Sequence, residues 1–168
     1  MTLETGMLNT NEKRQYDFLN EFIARHEMYV PFDEMLDKLS CSELTLRKII
    51  KTLNEIYHRP LFKSQNRDIL ILDDNLNAVN YLREFVLKHS EITQLIKLLF
   101  DQQMTTVSKV QEALGCSEST LRRLIKKTNS KIKKHSVQID LKTLDFVGEE
   151  STVRSWMITF LVKKQSEL

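Results

Sequence analysis

One stretch of this chain occurs twice, 75 positions apart. Residues 39–54 read LSCSELTLRKIIKTLN and residues 114–129 read LGCSESTLRRLIKKTN, so ten of the sixteen positions are identical. The shared apolar positions, such as Leu46 and Ile50, recur at the spacing of one helix face, which predicts an amphipathic helix in each copy. A repeat of this period within 168 residues favours two small packed units over one larger domain.

The composition narrows the fold class further. The chain is 41% apolar and 29% charged and has three Gly and two Pro, which favours long helices with short connections and argues against a large β-sandwich. No apolar run approaches the roughly 20 residues that span a bilayer. The start of the chain also lacks the basic and apolar regions of a signal peptide, so we expect a cytoplasmic protein without a membrane segment.

The surroundings of the first copy follow the order helix, turn, helix, hairpin. Apolar positions at 32–39 predict a short helix, Ser42 suits the N-cap of a second helix at about 43–57, and residues 40–41 form the turn between them. Two apolar segments flanking the polar bend at 64–67 predict a β-hairpin, called a wing in this position. The 75-residue offset extends into a second apolar hairpin strand near residues 144–147, so both units are predicted to carry a wing.

These patterns predict a mainly α fold of two tandem winged helix-turn-helix units, each with a small β-hairpin wing, together with connecting and C-terminal helices. The predicted parts are a flexible N-terminus at 1–10, a first unit at 11–75, a connecting helix at 76–89, a second unit at 90–148 and a C-terminal helix at 149–168.

The second helix of a helix-turn-helix motif enters the major groove of DNA, so its groove face must lie opposite its core face. At 100° per residue from the core position Leu121, the opposite side carries short hydroxyls, an arginine able to hold guanine and a lysine suited to phosphate. The predicted DNA-binding residues of the second unit are Ser117, Ser119, Thr120, Arg122, Arg123, Lys126, Lys127, Ser130, Lys133 and Lys134. The alternative is that this face is solvent-exposed helix surface that binds no ligand.

The first unit carries a weaker version of the same face. Its predicted DNA-binding residues are Arg47, Lys48 and Lys51, but Leu44 and Glu55 replace two serines of the second copy. We therefore expect it to contact DNA more weakly, or to read a thymine methyl group through Leu44. The predicted wing contacts are Lys63, Asn66, Arg67 and Lys142. The net charge also differs between the two halves of the chain. Residues 1–88 carry −2 and residues 89–168 carry +4, so the second half is the more basic.

Signals of catalysis are missing from the sequence. There is no glycine-rich phosphate loop, no HExxH motif and no nucleophile elbow. The four histidines are scattered, and Cys41 and Cys116 occupy the same repeat position without the spacing of a zinc site. We therefore expect no enzyme activity, no catalytic residues, no metal and no cofactor.

The motifs SCSELTLRKIIK and GCSESTLRRLIKK, followed by IDLKTLDFVGEE, resemble the N-terminal half of the Mga/AtxA-type regulators, which are transcription and virulence regulators of Gram-positive bacteria. This resemblance covers roughly residues 11–164. It implies promoter binding by paired modules and places the second recognition helix at Ser117–Lys127. Such regulators continue into phosphotransferase-type regulatory domains, which this sequence does not include, so it corresponds either to a DNA-binding fragment or to a short natural relative.

Two other functions fit the same patterns. Tandem winged helices also serve plasmid replication initiators, which bind repeated origin DNA. In a different class, the chain would be a protein-interaction module that antagonises a longer relative.

A last apolar stripe must pack either on the body of the protein or on a partner. It comprises Val153, Trp156, Met157, Phe160 and Leu161, and its pairing between two chains would make a homodimer.

Overall fold

The computed structural model describes residues 3–72, 76–101 and 106–165. The chain divides into two compact units. Leu8–Ser90 form the first unit, and Met1–Met7 together with Glu91–Leu168 form the second. The ends of the predicted ranges at 1–2 and 166–168, and the predicted end of the first unit at 73–75, lie outside the described residues.

The predicted helices and hairpins occur in the predicted order, together with a short first helix and a three-residue strand that were not predicted. Up to residue 71 they are helix α1 (Leu3–Gly6), helix α2 (Thr10–Arg25), strand β1 (Tyr29–Pro31), helix α3 (Phe32–Leu39), helix α4 (Glu43–Ile56), strand β2 (Phe62–Gln65) and strand β3 (Asp68–Ile71). From residue 77 they are helix α5 (Asn77–Lys88), helix α6 (Glu91–Phe100), helix α7 (Val107–Leu114), helix α8 (Glu118–Ile132), a 3-10 turn (Lys133–His135), strands β4 (Gln138–Ile139) and β5 (Phe146–Val147), and helix α9 (Glu150–Gln165). The predicted mainly α architecture of winged helix-turn-helix units is confirmed.

The first helix-turn-helix motif consists of α3 and α4. The turn between them passes through Ser40, which adopts a left-handed backbone conformation with φ of 45°. Ser42 caps α4 by accepting a hydrogen bond from the Thr45 backbone N–H at 3.3 Å, and Leu46 and Leu53 of α4 are fully buried. The repeated sequence therefore folds locally as predicted.

The wing of the first unit belongs to a three-stranded antiparallel sheet. Its strand order is β1-β3-β2, with Val30 opposite Ile69 on one side and Ser64 opposite Ile69 on the other. The sequence predicted only the hairpin of β2 and β3. β1 escaped prediction because it is three residues long and ends at Pro31, and so shows no alternating pattern.

Helix α5 differs from the connecting helix predicted at 76–89. It packs against α2, and Val79, Leu82 and Val86 are buried in the core of the first unit. Its apolar stripe is thus covered by its own unit, and α5 is a structural part of that unit.

The second unit repeats the motif with α7 and α8. Gly115 holds the turn in the left-handed conformation with φ of 61°, and the Ser117 side chain caps α8 by accepting from the Thr120 backbone N–H at 3.3 Å. The second wing is short, with Gln138 opposite Val147 and Ile139 opposite Phe146. Both wings were predicted.

Helix α9 covers the core of the second unit. Trp156 is 6% exposed and Phe160 is 3% exposed, and their rings pack with each other and with Phe100. Val153 and Met157 pack against the same core. The stripe therefore packs mainly on its own unit, one of the two alternatives that the sequence left open, and the buried Trp156 and Phe160 are not available to pair two chains. Leu161, at 42% exposed, lies outside this contact.

The start of the chain also differs from the flexible segment predicted at 1–10. Leu3–Gly6 form a helical turn, and Met7 is 1% exposed within the core of the second unit. The Lys131 ammonium of α8 donates a hydrogen bond to the Gly6 carbonyl at 2.8 Å. This long-range contact leaves no periodic signal in so short a segment.

Membrane-spanning helices and metal-binding clusters are both missing from the residues that the structure describes. Within residues 3–72, 76–101 and 106–165, no helix is long and apolar enough to cross a membrane. The same part of the chain holds no group of three or more His, Cys, Asp and Glu side chains arranged to bind a metal ion.

Candidate nucleic-acid interface

Helix α8 presents a polar face to solvent opposite its core face. Leu121 and Ile125 are each 1% exposed. The residues predicted at the opposite pole, Ser119, Arg123, Lys126 and Ser130, are all exposed. The four side chains therefore lie on one solvent-accessible face of α8, which a helix that reads a DNA groove requires.

The charges of α8 are not equally available to a ligand. Arg122 forms an ion pair with Glu118 one turn earlier at 2.7 Å, and the Lys127 ammonium lies 3.8 Å from the Glu91 carboxylate. Arg123 and Lys126 form no ion pair with any residue that the structure describes. Arg123 and Lys126 can therefore engage an anion without first giving up a protein carboxylate.

Hydroxyl groups cluster at the N-terminus of α8. The Ser117 hydroxyl lies 3.0 Å from the hydroxyls of Ser119 and Thr120 while it caps the helix. Further along, the Ser130 hydroxyl donates to the Lys127 carbonyl at 2.7 Å. The short side chains leave space for close approach, and the free backbone N–H groups of the first turn favour a nearby anion.

Beyond the end of α8, Lys133 and Lys134 are exposed in the 3-10 turn. The neighbouring His135 is partly buried, and this burial, followed by the charge of Lys134, lowers the pKa of its imidazole. The two lysines extend the basic surface of α8 toward the wing.

Helix α4 of the first unit carries the equivalent face with less free charge. Arg47 pairs with Glu43 at 2.7 Å, and Lys51 lies 3.8 Å from Glu55. Lys48 is exposed and forms no ion pair within the described residues. α4 holds three basic and two acidic residues, whereas α8 holds five basic residues and one acidic residue. The outward faces of α4 and α8 therefore differ in the number of charges without an ion-pair partner among the described residues.

The tip of the first wing is tied to the protein. Asn66 and Arg67 have φ of 51° and 61°, as in the two-residue turns that suit the twist of a hairpin. Arg67 forms an ion pair with Asp33 at the start of α3, so its charge is already compensated. Lys63 is exposed on β2 and forms no ion pair with the described residues.

The tip of the second wing is closed by Asp140. One oxygen of its carboxylate accepts from the backbone N–H groups of Lys142 at 2.7 Å and Thr143 at 2.8 Å. These hydrogen bonds, that from Thr143 first, lower the pKa of Asp140. The carboxylate close to Lys142 reduces the positive potential at this tip.

The sequence interpretation missed two asparagines that join each wing to the helix before it. Asn54 of α4 binds the start of β2, with its amide donating to the Phe62 carbonyl at 2.9 Å and its oxygen accepting from the Phe62 N–H at 2.8 Å. Asn129 of α8 binds Ile139 of β4 in the same way, at 2.9 and 2.7 Å. The signal was present, because both asparagines occupy the last identical position of the repeat.

Comparison with known proteins agrees with this geometry. The model of the family described as the Mga helix-turn-helix domain matches residues 76–161. The capsule synthesis positive regulator AcpA of Bacillus anthracis is 24% identical over 139 residues, which cover 82% of this chain and 29% of the length of AcpA. The chain thus spans less than a third of that relative. Two winged units with duplicated recognition helices, and a family match over more than half of the sequence, show that the chain belongs to the Mga helix-turn-helix family of DNA-binding transcription regulators.

Proposed function

We propose that the chain binds double-stranded DNA in a sequence-specific manner and regulates transcription, with α8 as the main reader of base sequence. The observation that carries this proposal is the exposed face of α8, where Arg123 and Lys126 have no carboxylate partner among the described residues. An arginine in this position can hold guanine through two hydrogen bonds, and a lysine can neutralise phosphate.

The first unit has a positioning role in this proposal. Arg47 and Lys51 of α4 are each close to a glutamate of their own helix, which lowers the positive potential that DNA would meet. Lys48 and Lys63, two predicted DNA contacts of this unit that form no ion pair with the described residues, suit contacts to phosphate that fix orientation but carry no sequence information. The relative from Bacillus anthracis is named as a positive regulator, which supports a role in transcription for this chain.

The repeat supplies a matched pair of variants for a test. Arg123→Ala with Lys126→Ala in α8 is compared with Lys48→Ala with Lys51→Ala, which occupy the equivalent positions of α4. Binding is measured by fluorescence anisotropy on duplexes selected from random DNA. We expect the α8 pair to weaken binding by about 1–3 kcal/mol for its base contact and to relax the sequence preference, while the α4 pair reduces affinity alike for all sequences. Unchanged affinity of the α8 variant would reject α8 as the reader.

The salt dependence of binding tests whether the chain binds DNA through its phosphates. If about six to eight phosphates are neutralised, log K falls against log salt with a slope of about −5 to −7. No binding at moderate salt, combined with a stable complex with a longer relative, would identify an interaction module. Preference for directly repeated origin DNA over promoter fragments would identify a replication initiator.

We also propose self-association through α9, but through fewer residues than the full apolar stripe. Ile158 and Val162 are each 55% exposed next to Leu161, so these outward side chains are the part of α9 that can meet a second copy. Sedimentation velocity tests this contact. Leu161→Glu should convert a dimer to a monomer, and a monomeric wild-type chain at high concentration would refute the proposal.

A further inference from the structure

Leu44 stands out on the surface of the first unit. At 65% exposed it is the most exposed large apolar side chain in the part of the chain that the structure describes, and it takes no part in the core of its unit. It is the second residue of α4, directly after Glu43. Single exposed leucines are common on protein surfaces, so exposure alone does not indicate a function for Leu44.

Its position is the one from which a recognition helix reads bases. N-terminal residues of such helices lie nearest to the base edges. Leu44 shares the outward face of α4 with Lys48 and Lys51, one and two turns further along, and both are exposed. An exposed apolar side chain beside exposed lysines suits duplex DNA. Lysines attract phosphate, and an apolar side chain at the N-terminus of the helix can contact an apolar group in the major groove.

The major groove offers one apolar group for such a side chain, the C5 methyl group of thymine. We propose that Leu44 reads a thymine methyl group and so gives the first unit a sequence preference of its own. This inference rests on the proposed function, and it adds a base-reading role to a unit that otherwise contacts only phosphate. The second unit has Ser119 in the equivalent position, whose hydroxyl lies 3.0 Å from that of Ser117.

Replacing thymine by uracil removes the methyl group and keeps the hydrogen-bonding edge of the base unchanged. Each thymine of a selected binding site is therefore replaced in turn, and the dissociation constants of the wild-type chain, Leu44→Ala and Leu44→Ser are measured by fluorescence anisotropy. We expect one thymine at which uracil weakens wild-type binding about fourfold, the effect of exposing one methyl group. The same replacement should leave both Leu44 variants unaffected.

Ser119→Ala is the matched control and should retain the full uracil effect at that position. Because Leu44 is exposed and outside the core, its variants should keep the unfolding temperature of the wild type. Independent effects of uracil and of the Leu44 substitutions at every thymine would overturn this inference while leaving DNA binding intact. If the wild-type chain bound no duplex at low salt, the proposed function would fail as well, so the two failures are distinguishable.

Discussion

Asn129 should contribute strongly to the stability of the second unit. Its side chain is the hydrogen-bonding partner of both the N–H and the carbonyl of Ile139, whose side chain and backbone are only 2% exposed. Asn129→Ala leaves these two backbone groups without partners in a site that water does not reach. An orphaned buried group costs about 1–3 kcal/mol, so for these two groups together we expect a loss of about 2–6 kcal/mol.

The single tryptophan makes this loss measurable in one unit. Trp156 is buried in the core of the second unit, so its fluorescence reports unfolding there. For a domain of this size, about 2 kcal/mol lowers the melting temperature by at least about 8 °C. Asn54→Ala is the matched control. It removes the equivalent anchor from the first unit and should shift the circular dichroism transition, while the fluorescence transition stays in place.

The refuting result is a fluorescence melting temperature of Asn129→Ala within about 2 °C of the wild type, given the size scaling above. It would mean that Ile139 finds other partners, and that the asparagine does not hold the wing to the recognition helix. A normal melting temperature combined with weaker DNA binding would point instead to a direct contact of Asn129 with DNA.

Three further outcomes follow from backbone and cap geometry. Gly115→Ala should destabilise the second unit by about 1 kcal/mol in fluorescence-detected urea unfolding. The cost comes from the positive φ alone, since no atom lies within 4 Å of the added Cβ. Ser40→Gly, at the equivalent turn, should stabilise the first unit in unfolding measured by circular dichroism. Gly148→Ala should cost about 1–3 kcal/mol in the same urea assay, since its Cβ would lie 2.6 Å from the Ser136 carbonyl oxygen. Hydrogen bonds from the side chains of Ser151 and Thr152, and then from their backbone N–H groups, lower the pKa of Glu149 to about 2. The ionised carboxylate therefore stabilises the folded state fully above pH 4.5, and this stabilisation is lost as the pH falls to about 2. Glu149→Gln should abolish that part of the acid dependence of the fluorescence melting temperature.

The features predicted correctly from sequence are local ones. The cap residue Ser42 and the alternation of core and surface positions decide where α4 begins and which face it buries, and the same holds for α8. Each signal lies within one or two helical turns, so it can be read without knowing the rest of the fold.

The features that escaped prediction depend on distant partners. The ion pair of Arg67 with Asp33 joins residues far apart in sequence, and the pairing of β1 with β3 joins segments with two helices and a strand between them. The role of α5 in the first core depends likewise on its contact with α2. Hydrophobic periodicity identifies an apolar face but does not name the surface that covers it.

The burial of Met7 in the second unit has a consequence for biosynthesis. The segment that ends at Met7 is synthesised before the first unit, but its partners in α8 and the second core are made only after the whole first unit. At about 5–20 residues per second, the segment waits several seconds while Leu8–Ser90 can already fold. The second unit therefore closes after the first, around residues that were made before the first unit. Deleting those residues should slow or weaken the late step and leave the early one unchanged.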